Sequence, residues 1–460
     1  MARFSDLPNE LVREVAGHVM PDDIESFSLT SRGVYAEALP LLKEHRELKI
    51  RYSAFGNLEK TGFDGRRLGK SDFRGHQVML NGYPGDSLSN LLTDVLTDHR
   101  LVPYIKELRL DYCCLAWESE DPDPSNERHE HVPYTEEQVA LFKQALSEYL
   151  LPEKLEAWTT ELLIIGHEGP IISLLLFLLP NINSIKLERC SNLSDHVREA
   201  IECVKTDFKS SMPILTRLER VKLEYNDPLP FPDVDFCAVE FLAFLATIPS
   251  LKSLYADQFA PWDSPYDSSC LSPHSSNITD LGFKSCNLSL RQLEDLLQGL
   301  KALHSFHFIF DEHLEMGPWD AAEICKVLSK HAQRSLEVLD VRSELEPTGP
   351  IENLQDFEIL KELVLSLSLF RVGEDSPSQT LAAQLPESIQ KISLHDIEVK
   401  DISLLEDSIR EVVHCKSDRL PRLDKVLCAS WDLEGLSQVT DKLQKSCEDV
   451  GFELCFVKEE

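Results

Sequence analysis

The chain has 460 residues, of which 42% are hydrophobic and 27% are charged, so it is long enough for several units or a repeat array and too apolar for global disorder. Its 79 acidic and 46 basic residues give a formal charge of −33, which argues against nucleic acids and anionic membranes, because such polyanions bind clustered lysine and arginine. Its 12 cysteines include no C-x-x-C pair, which favours reduced thiols in a cytoplasmic or nuclear protein.

A helix that starts at a proline is predicted at the N-terminus. Pro8 suits the first turn of a helix, where its missing N–H is no loss, and Glu10 favours the positive end of the helix dipole. Apolar residues then recur at steps of four and predict one apolar stripe, formed by Leu7, Leu11, Val15 and Val19.

Two further short helices are predicted before residue 40. Asp22 and Asp23 are good starters for the second, and the third begins near Ser31 and ends before Pro40. Three helices in about 40 residues are too few to bury their own apolar side chains. The second surface is either the following part of the chain, which the helices would cap, or a groove on another protein.

The spacing of these N-terminal residues resembles the F-box over residues 4–46, with Val19 where leucine is more usual. The matching positions are Leu7-Pro8-x-Glu10-Leu11, Val15, Val19, Asp22-Asp23-Ile24 and Leu29-x-Ser31-Arg32. The resemblance implies that this module binds the Skp adaptor of an SCF-type ubiquitin ligase and, through it, a cullin. The implied adaptor contacts, some of which would also fill the helical core, are Leu7, Pro8, Leu11, Val15, Ile24 and Leu29.

A repeated apolar, x, x, apolar, x, apolar pattern predicts strands in the rest of the chain. Its copies are Ile105-Leu108-Leu110, Ile182-Ile185-Leu187, Leu218-Val221-Leu223, Leu251-Leu254-Ala256, Ile278-Leu281-Phe283, Leu303-Phe306-Phe308, Leu336-Leu339-Val341, Leu360-Leu363-Leu365, Ile389-Ile392-Leu394 and Leu423-Val426-Cys428. Four copies carry Cys or Asn shortly beyond the last apolar position, at Cys113, Cys190, Asn226 and Cys286. This pattern is similar to degenerate leucine-rich repeats, and a non-repetitive α/β domain is the alternative.

The predicted fold is therefore α/β: a three-helix F-box at residues 1–46, then a leucine-rich-repeat-like solenoid at 47–460 with a parallel concave sheet. Loop insertions are predicted near 56–86, 117–133 and 261–277, and an extra strand is expected at 161–166. The apolar run 171–179 is about half of the roughly 20 residues that a membrane span needs. A last helix, a turn at Gly451 and a strand from Phe452 to Val457 would cap the solenoid.

No catalytic, metal or cofactor site is predicted. The sequence has no phosphate-binding glycine loop, nucleophile elbow or zinc-protease motif. The pair His129-x-His131 lies in an acidic loop without a third ligand, and His395-Asp396 has no nucleophile partner. The pair His304-x-x-His307 straddles a predicted strand, which would place its rings on opposite faces.

Target binding is predicted on the exposed face of the sheet. The residue between the last two apolar positions of a copy points outward, and this row reads Arg109, Lys186, Lys222 and Tyr255. The next outward row reads Asp111, Glu188, Glu224 and Asp257. Either the lysines meet an acidic or phosphorylated target beside Tyr255, or the two rows neutralise each other as ion pairs.

The sequence thus predicts a non-catalytic substrate receptor that joins a target protein to the ligase and contributes proximity rather than bond chemistry. The alternative is a leucine-rich-repeat scaffold that binds partners without ubiquitin chemistry.

Overall fold

The protein is described from a computed structural model. The described residues are 7–19, 21, 23–52, 54–55, 88–111, 134–160, 162–163, 169–188, 193–206, 215–224, 239–257, 271–286, 288–310, 320–343, 351–352, 354–370, 381–397, 401–430 and 433–458. The chain forms two compact units, Met1–Arg220 and Val221–Glu460. They are called unit 1 and unit 2.

Unit 1 combines eight described helices with three strands. The helices are α1 Asn9–His18, α2 Ile24–Ser28, α3 Arg32–Tyr52, α4 Leu88–Thr97, α5 Glu136–Tyr149, α6 Leu155–Thr160, α7 Gly169–Leu178 and α8 Leu193–Thr206, with a 3-10 helix His99–Tyr104 after α4. The strands are β1 Ala54–Phe55, β2 Glu107–Asp111 and β3 Ser184–Glu188. They pair in parallel in sequence order, so that Leu108 lies opposite Phe55 on one side and Ile185 on the other.

The third helix differs from the prediction, because α3 continues through Pro40 to Tyr52 instead of ending before the proline. Proline removes one backbone hydrogen bond from a helix, at a cost of about 3 kcal/mol in an ordinary interior position. Here the buried side chains Ala38 and Leu42 lie on either side of it, so burial keeps both halves in one helix. The helix therefore crosses the predicted boundary at residue 46.

The C-terminal half of α3 packs on later parts of unit 1. The Tyr52 hydroxyl donates to Asp94 Oδ2 at 2.7 Å, and the buried His45 Nδ1 lies 3.1 Å from the Tyr104 hydroxyl. Arg100 donates to Glu44 at 3.0 Å. These contacts fix α3 on α4 and the 3-10 helix, so one face of the N-terminal module does cap the later helices of unit 1.

The prediction of a strand at 161–166 is wrong for the two residues of this range that the structure describes. Leu162 and Leu163 are helical and follow α6. In the sheet, β2 pairs directly with β3, with Arg109 opposite Lys186, so no strand lies between them. The residues on either side lie outside the described ranges.

Unit 2 alternates strands and helices along its whole length. Its strands are β4 Arg220–Glu224, β5 Ser253–Asp257, β6 Asp280–Lys284, β7 Ser305–Phe310, β8 Val338–Ser343, β9 Glu362–Ser366, β10 Lys391–His395, β11 Lys425–Ser430 and β12 Glu453–Lys458. Its helices are α9 Val239–Ala246, α10 Leu290–Gly299, α11 Ala321–Ala332, α12 Leu381–Gln384, α13 Ile402–Cys415 and α14 Leu433–Val450, with 3-10 helices at Leu354–Asp356 and Leu367–Phe370.

From β5 to β12 each strand pairs in parallel with the strand that follows it in the chain. All ten copies of the apolar pattern coincide with strands of the two units, which confirms the predicted α/β fold with a parallel sheet. The pattern works because its last two apolar residues lie on one face of a strand and its first lies just ahead of the strand. In β6 and β7, Leu281, Phe283, Phe306 and Phe308 are buried in this way.

Small polar side chains finish several strands. Cys286, predicted as a turn residue, donates its S–H to the Ala256 carbonyl of the neighbouring strand at 3.3 Å. Ser366 accepts the backbone N–H of Ser343 at 2.8 Å, and Ser430 donates to the Ile397 carbonyl at 2.6 Å. The other three predicted turn residues, Cys113, Cys190 and Asn226, lie outside the described residues.

The C-terminal end of unit 2 forms as predicted, because α14 is followed by Gly451 and β12. Gly451 has a φ of +87°, the left-handed conformation that favours glycine after a helix. This turn lets the Phe452 N–H reach the Cys447 carbonyl at 3.1 Å, which satisfies one of the last helical acceptors.

The second half of the predicted 261–277 loop is described, and it lies against the end of α10. The His274 N–H donates to the Gln298 carbonyl and the Ser276 N–H donates to the Gly299 carbonyl, both at 3.0 Å. Leu271 is buried against Gly299, at a place where any side chain on that glycine would overlap it. No helix or strand forms at 271–277, as the Ser/Pro composition predicted.

Replacing Gly299 by alanine should therefore destabilise unit 2. The new Cβ would displace Leu271, and such overpacking costs about 1–3 kcal/mol. Urea unfolding of the full chain would measure the change. Gly17→Ala is the matched control, because a Cβ there meets nothing within 4 Å in α1 and should be neutral or slightly stabilising. Equal stability of the two variants would contradict the contact.

Candidate functional site

The first candidate surface is the outward stripe of α1. The helix buries Val12 and Ala16, whereas three residues of the stripe predicted from the sequence, Leu7, Leu11 and Val15, are exposed to solvent. Ala16 belongs to a cluster with Ile24, Ala38 and Leu42. The fourth residue of the stripe, Val19, is half-buried and packs against this cluster, which corrects its predicted place in the stripe. Two alanines in this cluster leave little room between the helices, so the bulkier stripe remains outside.

Five of the six predicted adaptor contacts are exposed: Leu7, Pro8, Leu11, Val15 and Leu29. Leu29, after α2, exposes 77% of its surface, which is extreme for a leucine. The sixth predicted contact, Ile24, is buried in the helical core, which corrects its prediction as an adaptor contact. Asp23 begins α2 just before it, and the first turn of so short a helix packs directly on α3.

An exposed row on α3 extends this apolar surface, and the sequence prediction missed it. Tyr35, Leu39 and Ile50 are exposed and, with Lys43 and Arg46, line an open groove. Of the ten exposed large hydrophobic residues in the described ranges, seven lie within the first 50 residues. The signal was the spacing 35, 39, 43, 46, 50, which was hidden by ending the helix at Pro40.

The predicted target-binding row divides between the two units. In unit 1, Arg109 lies opposite Lys186 in the sheet register, and Lys186 is half-buried. The side chains of Arg109, Asp111 and Glu188 lie outside the described ones. In unit 2, Lys222 and Tyr255 do come together, with Lys222 Nζ 5.1 Å from the centre of the Tyr255 ring. This is a cation–π distance.

Tyr255 lies flat along the sheet because its neighbour is a glycine. Gly282 is opposite Tyr255 in the register, and a Cβ on it would lie 2.5 Å from Tyr255 Cδ2. Burial, and then the negative charge of Asp257, raise the pKa of Tyr255 well above its usual range, so the phenol stays protonated. The Tyr255 ring therefore offers an apolar surface, which we call the apolar floor, with an uncharged hydroxyl at its edge.

Lys222 of the predicted row, and Lys284 on the strand after that of Tyr255, also have internal partners. Lys222 forms an ion pair with Glu224, and Lys284 Nζ lies 4.0 Å from Asp257 Oδ2. The internal pairing that the sequence left as an alternative is thus present in unit 2. It does not exclude binding, since both lysine side chains remain substantially exposed.

The same face of β7 and β8 carries a hydrogen-bonded line that the sequence prediction missed. Ser305 Oγ lies 2.8 Å from His307 Nε2, and His307 Nδ1 lies 3.2 Å from Asp340 Oδ2. Arg342 donates to both Asp340 oxygens, at 2.9 and 3.1 Å. The ionised carboxylate can only accept, so His307 carries its proton on Nδ1. The sequence signal for this hydrogen-bonded line was S-x-H on β7 and D-x-R on β8.

Asp340 is the electrostatic centre of this line. Burial alone would raise the pKa of Asp340, but the hydrogen bonds from His307 and Arg342 outweigh burial and hold it below its usual range. A carboxylate that is buried and fully paired in this way stabilises the folded state only while it is ionised.

Ser305, His307 and Asp340 repeat the residue types of a serine-hydrolase triad without its surroundings. The Ser305 N–H is already donated to the Thr279 carbonyl at 3.0 Å, so it does not point at an oxyanion. His304 precedes β7 instead of lying on it, which corrects the predicted placement of that histidine pair. Elsewhere, burial raises the pKa of the Cys325 thiol to about 12, so its thiolate is scarce at neutral pH.

Two further properties of the described residues bear on the predicted sites. No group of three or more His, Cys, Asp or Glu residues is placed to hold a metal ion there. The pair His129-x-His131 lies outside those ranges. Within the same ranges, every helix is too short or too polar to cross a bilayer.

Two comparisons with known proteins found no match. No protein-family model matches the chain, and no curated protein is significantly similar to it.

Asp340→Asn should lower the free energy of unfolding by about 1–3 kcal/mol at neutral pH, because a charge-assisted network becomes a neutral one. The pKa of Asp340 is lowered in the folded state, so its contribution is present above the unfolded pKa and disappears as pH falls through the folded one. The difference from wild type should therefore shrink as the pH falls from neutral into acid strong enough to protonate Asp340 in the folded state.

Urea unfolding across that pH range measures this difference. The exposed Asp356→Asn, in the same unit, is the control and should change little. A deficit for Asp340→Asn that persisted undiminished in strong acid would contradict the assignment.

Proposed function

We propose that the chain is a substrate receptor of an SCF-type cullin-RING ubiquitin ligase, with an F-box at its N-terminus and a leucine-rich-repeat-like solenoid after it. The F-box binds the Skp adaptor, and the solenoid holds the target protein. The chain acts in the cytoplasm, the nucleus or both. It contributes proximity, while the activated ubiquitin is carried by another subunit.

One observation carries the adaptor half of the proposal. The helix α1 turns two large apolar residues, Leu11 and Val15, outward and packs on its neighbours through Val12 and the small Ala16. A helix that only capped the following units would bury its bulkiest stripe, since each leucine or valine gains about 1.5–3 kcal/mol from full burial. An outward stripe is what a partner groove requires.

The rest of the module supports a rigid plug. Its inner core is closed by Ala16, Ala38 and Leu42, and Arg13 forms an exposed ion pair with Glu37 at 2.6 Å between α1 and α3. The anchoring of α3 on α4 and the 3-10 helix fixes the plug to unit 1. A rigid connection of this kind suits a receptor, because it limits the positions that a bound target can take.

The double substitution Leu11→Ala and Val15→Ala should abolish adaptor capture and leave folding intact. Both side chains are exposed, so unfolding should shift by less than about 0.5 kcal/mol, while binding should weaken at least about tenfold. Pull-down of the full chain, probed for the Skp adaptor and a cullin, measures the first effect and thermal unfolding the second. Glu14→Ala, exposed on the same helix, is the matched control.

The scaffold alternative gives a different result in this experiment. If wild-type chain captures neither adaptor nor cullin, the ubiquitin proposal is wrong, and a repeat protein that binds partners by other means is favoured.

The same purified chain distinguishes a receptor from an enzyme. We expect no labelling of Ser305 by a fluorophosphonate probe, because its N–H is committed to the sheet and cannot help to stabilise the adduct. Mass spectrometry of tryptic peptides measures this, with Ser305→Ala as the reference. Stoichiometric labelling that disappears in Ser305→Ala would instead establish a nucleophile.

A further inference from the structure

The strongest unassigned feature is a layered arrangement of charge on one face of unit 2. The side of β4 to β8 that points away from the core includes Arg220, Ser253, Asp280, Ile309 and Val338. Ten further residues on that side define what we call the β4–β8 face: Lys222, Glu224, Tyr255, Asp257, Gly282, Lys284, Ser305, His307, Asp340 and Arg342. Its formal charges balance, so net charge alone predicts no preference for an anionic or a cationic ligand. The depth at which each charge lies does predict such a preference.

Cations lie on the outside of this face and carboxylates underneath. The side chains of the cations Lys222, Lys284 and Arg342 are 30% to 48% exposed, and the His307 side chain beside them is 38% exposed. Those of their partners Glu224, Asp257 and Asp340 are only 8% to 16% exposed. A partner approaching this face therefore meets donors first, and the carboxylates lie beneath them.

Three other ion pairs of the sheet in the same unit lack this layering. At the starts of β8, β9 and β12, the carboxylates of Glu337, Glu362 and Glu453 are 35% to 62% exposed, against 37% to 48% for their lysine partners. There, cations and carboxylates meet solvent alike. The layering thus distinguishes the β4–β8 face from these other ion pairs of the sheet. In some ion pairs on the helices of unit 2 the cation is also the more exposed partner, as in Arg410 with Glu406, but the carboxylate there is still 25% exposed.

The buried carboxylates also hold the cations in place. Arg342 uses Nε and Nη2 for Asp340, which leaves Nη1 directed elsewhere with no acceptor among the described residues. Lys222 is held by Glu224 and by the Tyr255 ring. A ligand then loses less side-chain entropy on binding, because the long cationic side chains are already ordered.

Tyr255 adds an apolar floor among these donors. Because Gly282 has no side chain, the ring lies along the sheet instead of projecting from it. A ligand that matched the whole face would need acceptors for the outer cations and one apolar group for the ring.

We propose that the β4–β8 face binds an extended, Asp- and Glu-rich segment of a target protein, whose carboxylates accept from Lys222, Lys284 and Arg342 while one apolar side chain rests on Tyr255. This inference rests on the proposed function for its biological role, but the surface binds its ligand without the adaptor. Carboxylates are favoured over phosphate, because the donors Lys222, Lys284 and Arg342 lie on three different strands, and several acidic side chains of an extended segment match separate donors better than one phosphate group does.

The test uses the purified full chain and three fluorescein-labelled synthetic peptides. One carries Asp and Glu around a single Leu, the second replaces the acids by Asn and Gln, and the third replaces them by Gly and phosphoserine. Fluorescence anisotropy should show binding of the acidic peptide, weakened by added salt, and at least about tenfold weaker binding of the other two. Equal binding of the acidic and amide peptides would overturn the proposal, and preference for the phosphopeptide would overturn its choice of carboxylate.

The double variant Lys222→Gln with Lys284→Gln locates the site. It should weaken acidic-peptide binding about tenfold, whereas Lys330→Gln with Lys361→Gln, two paired lysines of the same unit off this face, should not. Thermal unfolding checks that both variants fold, and the salt series on wild type needs no variant. Equal affinities of the two variants would place binding elsewhere. Adaptor capture is measured separately, so either idea can fail without the other.

Discussion

The pairing of each strand with the strand that follows it in the chain is the constraint on which unit 2 depends. A parallel strand must satisfy hydrogen bonds at both edges, and here each new repeat supplies the partner for the last. The register continues without a shift from β5 to β8, so Tyr255, Gly282, His307 and Asp340 form one continuous row. Every contact between β5 and β8 on the β4–β8 face follows from that alignment.

The alignment also explains how an acidic chain can present cations. On neighbouring strands the charged residues lie side by side, and the shorter or better-buried carboxylates remain near the sheet while lysine and arginine reach past them. Asp340 shows the consequence most clearly, because His307 and Arg342 approach it from both sides and keep it ionised despite burial. Charge balance and surface chemistry are therefore separate properties of this face.

The strands could be predicted from the sequence because their apolar spacing is set by the strand geometry itself. The face of α1 could not, because Ala16 became an inner residue only through close packing in a cluster with Ala38, which lies on another helix. The predictions for Ile24 and for the end of α3 before Pro40 differ from the structure for the same reason: burial in the assembled module outweighed local preferences. The Ser305–His307–Asp340 line needed the strand register, which no single repeat contains.

The strictly sequential strand order has a consequence for synthesis. A strand leaving the ribosome finds its partner already made, because the strand before it was translated first. Folding of unit 2 can then proceed during translation, each repeat adding to a formed edge, without waiting for the C-terminus. At each moment of synthesis the growing edge of the sheet is that of the newest strand. The stretch of chain at risk of aggregation therefore stays about one repeat long.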